Sequence, residues 1–159
     1  MKLPPRACLW LLGHLLRRTA WVRPPDFVIG DEASTYLRRW WLIPRNRVFN
    51  LYVHEFLRSD DDRALHDHPW ASVSVILGGH YIEHMPGGWK FRPRGAVVAR
   101  GARIPHRVEL LHDRVPVWTL FVTGPRVRDW GFHCPGGWRR WQDFVATTER
   151  GNTTGRGCE

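Results

Sequence analysis

Three histidines carry the chemistry that this sequence could do. His66 and His68 stand two residues apart in Leu65-His66-Asp67-His68-Pro69-Trp70. On an extended strand, residues i and i+2 project to one face, which brings the two imidazoles together. His106 follows the turn Gly101-Ala102-Arg103-Ile104-Pro105 and opens a later run with strand character. In an antiparallel barrel such a strand can stand opposite the first pair. Imidazole suits Fe, Zn, Cu and Ni, so the ligand type leaves the metal open. Three protein ligands leave coordination positions free, the pattern of catalytic rather than structural sites. The competing reading makes His66 and His68 loop-edge histidines and His106 a turn histidine. Asp67 points away from the pair, from where it could still orient a neighbouring imidazole.

The surrounding elements must position these side chains. Residues 1–20 carry Leu9, Leu12, Leu15 and Leu16 at helical spacing, and Pro24-Pro25 end that pattern. Residues 32–42 are expected to form a second short helix, stopping before Pro44. From Arg47 the texture becomes β-like. Val48–Leu57, Ala71–Leu77, His80–Met85, Gly95–Arg100, His106–Leu111, Val115–Thr123 and Arg128–Phe132 read as strands, and Gly136–Phe144 as a last strand or edge piece. Gly, Pro and Asp separate them, as in Gly78-Gly79, Pro86-Gly87-Gly88 and the acidic loop Asp60-Asp61-Asp62. About eight short strands with turn signals between them argue for an all-β sandwich or barrel rather than βαβ units. The expected organisation is an N-terminal helical arm over 1–46, a barrel over 47–145 and a flexible polar tail over 146–159.

In these residues the chain resembles the cupin superfamily. His66, His68 and Gly78 or Gly79 are similar to its first motif, and Gly101, Pro105 and His106 to its second. The likeness spans about residues 48–133. It implies a cupin-type double-stranded β-helix barrel, a jelly roll, with short N-terminal helices and a metal inside. One departure stands out: the glutamate of the first motif is absent, its slot falling at Ser72 or Val73. The implied ligand set is therefore three histidines without a carboxylate. Thiol dioxygenases of this superfamily look alike in that respect, with a His-Asp-His sequence and a later histidine holding iron(II). The resemblance thus implies one divalent metal, Fe(II) favoured, with Zn, Ni and Mn open. It implies a mononuclear iron-dependent oxygenase acting on a small anionic molecule. A cupin isomerase or epimerase on a sugar or sugar nucleotide, or a non-catalytic ligand- or nucleic-acid-binding barrel, remains the alternative. For the tyrosine that thiol dioxygenases use, Tyr52 and Tyr81 are candidates and no more.

Composition narrows the partners. Lys and Arg number 24 against 15 Asp and Glu, a net charge of +9 carried almost wholly by Arg. Such a charge attracts anions or nucleic acid without choosing between them. Arg45, Arg47, Arg58 and Arg63 cluster around the first barrel strand and the loop before the histidines. Arg45, Arg58 and Arg63, with Trp70, are the candidate substrate-binding residues, because a guanidinium can grip a carboxylate in bidentate geometry. A solvated basic face is the competing reading. Arg38-Arg39-Trp40-Trp41 interleaves cations and aromatics as nucleic-acid binders do, but stands alone. Trp118 and Trp130 could wall a pocket or pack a core.

The remaining histidines have blander readings. His54 could line the cavity or be a satisfied structural residue. His80, His84, His112 and His133 read as structural or exposed, and Glu109 falls on the opposite strand face from His106. Cys8, Cys134 and Cys158 are odd in number and far apart, which suggests no disulfide framework and a reducing, cytoplasmic setting. The apolar run Ala7–Leu16 is too short to span a bilayer, so no transmembrane segment is expected. A homodimer stays open.

Overall fold

The computed structural model describes residues 2–30, 34–60, 64–112, 115–148 and 151–159. Helix α1, Pro5–Leu16, starts on a proline, whose fixed φ and missing N–H suit the first turn. It buries Cys8, Leu12 and Leu15 against Trp40, Val53 and Leu77. The strands are β1 (Phe27–Gly30), β2 (Thr35–Trp41), β3 (Asn50–Phe56), β4 (Leu65–His66), β5 (Ser72–Gly78), β6 (Tyr81–Met85), β7 (Gly88–Arg92), β8 (Val97–Arg100), β9 (Arg107–Leu110), β10 (Val117–Thr123), β11 (Gly131–Cys134) and β12 (Gly137–Arg140). A single helical turn α2, Trp141–Phe144, and the pair β13 (Val145–Thr148) and β14 (Gly151–Thr154) complete the chain.

A six-stranded antiparallel sheet, ordered β1-β2-β3-β10-β5-β8, forms one wall. Two three-stranded sheets, β12-β11-β4 and β7-β6-β9, form the other. They meet at one bridge, where His66 and His106 exchange backbone hydrogen bonds of 2.9 Å in both directions. Between the walls pack Ile76, Val98 and Val117 from the large sheet and Tyr81, Val108 and Leu110 from the small one. The large sheet is covered on both sides, by α1 outside and by this core inside. Strand β5 shows the division: Leu77 faces α1, whereas Ser74 lines the interior and Ile76 joins the inner core. At Gly30, where φ is +105°, a Cβ would stand 2.5 Å from the Ser34 carbonyl oxygen, so the β1–β2 connection needs glycine there.

Three expectations are corrected. The helix expected over 32–42 is strand β2. Its Leu37 and Arg39 turn to the barrel interior while Trp40 turns to α1, so apolar residues fall on both faces and mimic helical spacing. The tail expected over 146–159 contains the β13–β14 pair, and β14 lies beside β1. The cysteines do form a disulfide, Cys134–Cys158, across 24 residues that the fold brings back together. That bond removes the ground for inferring a reducing setting. Strand β7 was not legible as a strand, because four of its five residues are exposed and no burial pattern marks it.

Leu77 is wholly buried where α1 meets the sheet. Leu77→Ala is expected to lower unfolding free energy by roughly 2–5 kcal/mol, the usual cost of a leucine-sized cavity. Denaturant titration by circular dichroism checks this, and a loss below 1 kcal/mol would mean that α1 does not pack there.

Candidate metal centre

Strand β4 is only two residues long, and its pairing decides the site. His66 pairs with Phe132 of β11 on one side and bridges to His106 on the other. His68 is held by its backbone N–H, which donates to the Ala102 carbonyl at 3.2 Å. The turn before His106 therefore also fixes His68. The three rings converge: centroids lie 5.2 Å apart for His66 and His68, 5.0 Å for His66 and His106, and 5.1 Å for His68 and His106. One ring nitrogen from each lies within 4.8 Å of the others. The Nε2 atoms of His68 and His106 are 2.8 Å apart.

Two carboxylates stand behind these rings. Nδ1 of His106 lies 3.2 Å from Oε1 of Glu83, and Nδ1 of His66 lies 3.4 Å from Oδ2 of Asp60. A carboxylate on Nδ1 keeps the proton there and leaves Nε2 as a bare donor, the arrangement that orients metal-binding histidines. Burial comes first in setting the charge state. It holds His106 near pKa 3, against the opposing pull of Glu83, and holds His68 well below its ordinary 6.5, assisted by the neighbouring rings. Both imidazoles are thus neutral near pH 7, as ligands must be. With bonds of about 2.0–2.1 Å to imidazole, adjacent nitrogens on one metal stand roughly 3 Å apart, close to the His68–His106 spacing. The donor set fits a divalent metal held by three imidazole nitrogens.

Glu83 escaped the sequence reading. It has no solvent exposure and shares its strand face with the buried Tyr81. Arg92 Nε donates to its Oε2 at 2.7 Å and Arg100 Nε to its Oε1 at 2.5 Å. Burial alone would raise its pKa, but His106, Arg100 and Arg92 bring it down to about 2. Asp67 does not reach the three rings. Its Oδ1 accepts from the Gly131 N–H at 2.9 Å, and its Oδ2 lies 2.8 Å from Arg128, 3.1 Å from Trp138 and 3.2 Å from His133.

A cavity of about 280 Å³ opens beside the histidines. Its walls are mainly aromatic and aliphatic, with Trp70 among them, and no carboxylate side chain lines it among the described residues. Of the arginines singled out from sequence, Arg45 stacks on Trp41 at 5.4 Å and Arg58 grips the Ser34 and Ser59 carbonyls. Neither lines the cavity. Arg63 lies outside the described residues. The arginines that do line it are Arg39 and Arg100. Tyr81 lines it as well, its hydroxyl 3.4 Å from Arg100 Nη2 and its pKa raised by burial, whereas Tyr52 sits behind it beneath Arg39. Trp130 and Trp141 stack at 5.8 Å and form one wall, and Trp118 packs on Trp40 under α1 instead. His84 pairs with Glu109 at 2.5 Å away from the centre.

No family model and no curated relative matches the sequence. Solved structures do. A candidate mannose-6-phosphate isomerase of Ralstonia eutropha JMP134 superposes at a TM-score of 0.52 and 16% identity, over 63% of this chain and 92% of that one. A conserved protein of Klebsiella pneumoniae with a double-stranded β-helix domain gives 0.51 at 16% identity, over 71% and 90%. A cupin-like protein of Thermotoga maritima gives 0.51 at 11%, over 69% and 85%. The chain has the cupin fold. At such identities the likeness reaches the fold alone. No helix among the described residues is long and apolar enough to cross a membrane.

Two predictions follow from the electrostatics. His54, His68 and His106 have folded pKa values below that of a free imidazole, so the unfolded chain binds more protons than the fold does. Their neutral burial supports the fold fully above about pH 6.5, and that support drains as pH falls below it. The depressed Glu83 adds a second loss as pH falls from about 4.5 towards 2. Denaturant midpoints of metal-stripped protein should be flat above pH 7 and decline steadily below 6.5; a flat profile down to pH 5 refutes this. Asp60→Asn and Glu83→Gln should each weaken metal affinity about 10–100-fold through the Nδ1 contact. Chelator competition on folded protein measures that ratio, and unchanged affinity in both would deny the carboxylates an orienting role.

Proposed function

We propose that this cupin is a mononuclear metal-dependent enzyme, an oxygenase that uses Fe(II) at His66, His68 and His106 to oxidise a small anionic organic substrate. The observation that carries the reading is the convergence of three imidazoles at the edge of a largely apolar cavity. A metal bound there supplies Lewis acidity and redox chemistry, with positions open to substrate and O2 together. The protein's own part is positional. Glu83 and Asp60 hold the protons on Nδ1 of His106 and His66, and the aromatic walls keep bulk water from the reacting end.

The lining favours oxidation over isomerisation. Sugar isomerases and epimerases need a base–acid pair beside the substrate carbon and polar partners for the hydroxyls. Here the cavity lacks a carboxylate among the described residues, and its walls are mainly aromatic and aliphatic. A nucleic-acid-binding barrel would instead show affinity that falls steeply with salt.

Elemental analysis of protein purified without a metal-binding tag is expected to find near one iron per chain. A His66→Ala/His68→Ala/His106→Ala variant should carry none. The iron form should then take up O2 when mixed with small organic acids, thiols included. A chain that holds no metal and cannot be loaded with any sinks the enzyme reading. Anaerobic turnover of a sugar would move the assignment to isomerisation.

A further inference from the structure

The cavity holds a second polar feature that metal binding does not use. Arg39 on β2 and His54 on β3 are paired in register, and both line the cavity. Arg39 Nε donates to His54 Nε2 at 2.8 Å. Burial, with the guanidinium beside it, holds His54 well below its ordinary pKa, so its Nε2 is available as an acceptor. The guanidinium lies 5.0 Å from the Tyr52 ring and 5.8 Å from the Phe27 ring. No carboxylate pairs with it among the described residues. Burial lowers its pKa to about 10, which still leaves it charged at neutral pH. The other cavity arginine, Arg100, is already bound to Glu83.

A cation held without a counter-ion beside a cavity is expensive unless something anionic visits it. With Nε engaged by His54, the two terminal nitrogens remain as a planar fork that matches a carboxylate. The way from fork to metal centre is short. Phe121 stacks on His54 at 4.9 Å and lies 6.4 Å from His68. The remaining walls include Phe27, Ile29, Phe56, Trp70 and Trp130. One uncompensated cation suits one negative charge, and these walls suit a hydrocarbon body. A volume of about 280 Å³ sits at the small end of ligand sites.

We propose that Arg39, aligned by His54, is the anion-binding residue of this cavity and that its ligand is an apolar or aromatic monocarboxylate. The proposal rests on the active-site reading above and names the substrate class for it. The carboxylate sits on the guanidinium fork, and the hydrocarbon end lies across Phe121 towards the three histidines.

Trp70, Trp130 and Trp141 line the cavity, so ligand binding is readable as a change in tryptophan fluorescence. Phenylacetate, benzoate and hexanoate would be titrated beside phenylacetamide and inorganic phosphate. Each titration would use protein as purified and protein stripped of metal. At least one of the acids should bind at least tenfold more tightly than the amide and than phosphate, with or without metal. Arg39→Gln should abolish that preference, Arg39→Lys should keep only part of it, and Arg45→Gln should keep all of it. The proposal is overturned if none of the acids binds, if acid and amide bind alike, if phosphate binds best, or if folded Arg39→Gln protein binds the acids unchanged. The acid–amide comparison on the wild-type chain decides the matter even where Arg39 variants fail to fold. Iron without an acid preference defeats this inference alone. An Arg39-dependent acid preference in a chain that cannot be loaded with metal defeats the enzyme reading and leaves this inference standing.

Discussion

The buried charge of Glu83 is the constraint on which the rest of this barrel turns. A carboxylate with no solvent exposure is tolerable only when its lone pairs are filled. Here the partners come from three different places: Arg92 on β7, Arg100 on β8 of the facing sheet, and His106 at the entrance to β9. Removing one partner of such a cluster typically costs about 3–5 kcal/mol, because the charge that remains is stranded. The ion cluster therefore ties the two walls at the level of the histidines. It also sets the tautomer of His106 through the same oxygen that accepts from Arg100. Support of the fold and preparation of a ligand meet in one side chain.

That coupling explains what the sequence made legible. The histidine constellation could be read because its geometry is local: His66 and His68 share a face by parity, and a Gly–Pro turn places His106 at a strand start. The all-β class could be read from alternation and turn residues. Glu83 and Arg100 could not be singled out, and Arg39 stood out only as part of a basic–aromatic run, since charged residues in strands usually face water. Only the closure of the barrel decides that these three point inward. The misread stretch at 32–42 has the same origin. Strand β2 is buried on both faces, so it loses the period of two that identifies a half-exposed strand.

The expected substrate arginines illustrate the difference between proximity in sequence and access to a cavity. Arg45 and Arg58 flank β3 and looked well placed for a mouth, yet each settles on neighbouring backbone or aromatic surface. Arg39 lies six residues before Arg45 on the adjacent strand and points the other way. Register settles the matter. Pairing Arg39 with His54 across β2 and β3 fixes both on the interior side, where Arg38 and Glu55, one step along, pair on the outside. A shift of one residue in β2 would turn Arg39 to the outer face and part it from His54.

The C-terminal segment contributes the wall that the histidine-bearing strands cannot supply. β4 is too short to bury a face by itself, so His66 depends on Phe132 of β11, which packs on Phe144 at 3.6 Å. Trp130 stacks on Trp141 in the same cluster, and His68 faces Trp130 at 6.4 Å with an interplanar angle of 19°. Asp67, lying between His66 and His68, fastens this segment through Gly131, Arg128, Trp138 and His133. The His-Asp-His sequence thus works in two directions at once. Its histidines face the three-imidazole cluster, and its aspartate holds the aromatic wall beside them. The Cys134–Cys158 bond anchors the same wall from its far end. Cavity shape and ligand placement consequently share one short strand, so a change in either is felt by the other.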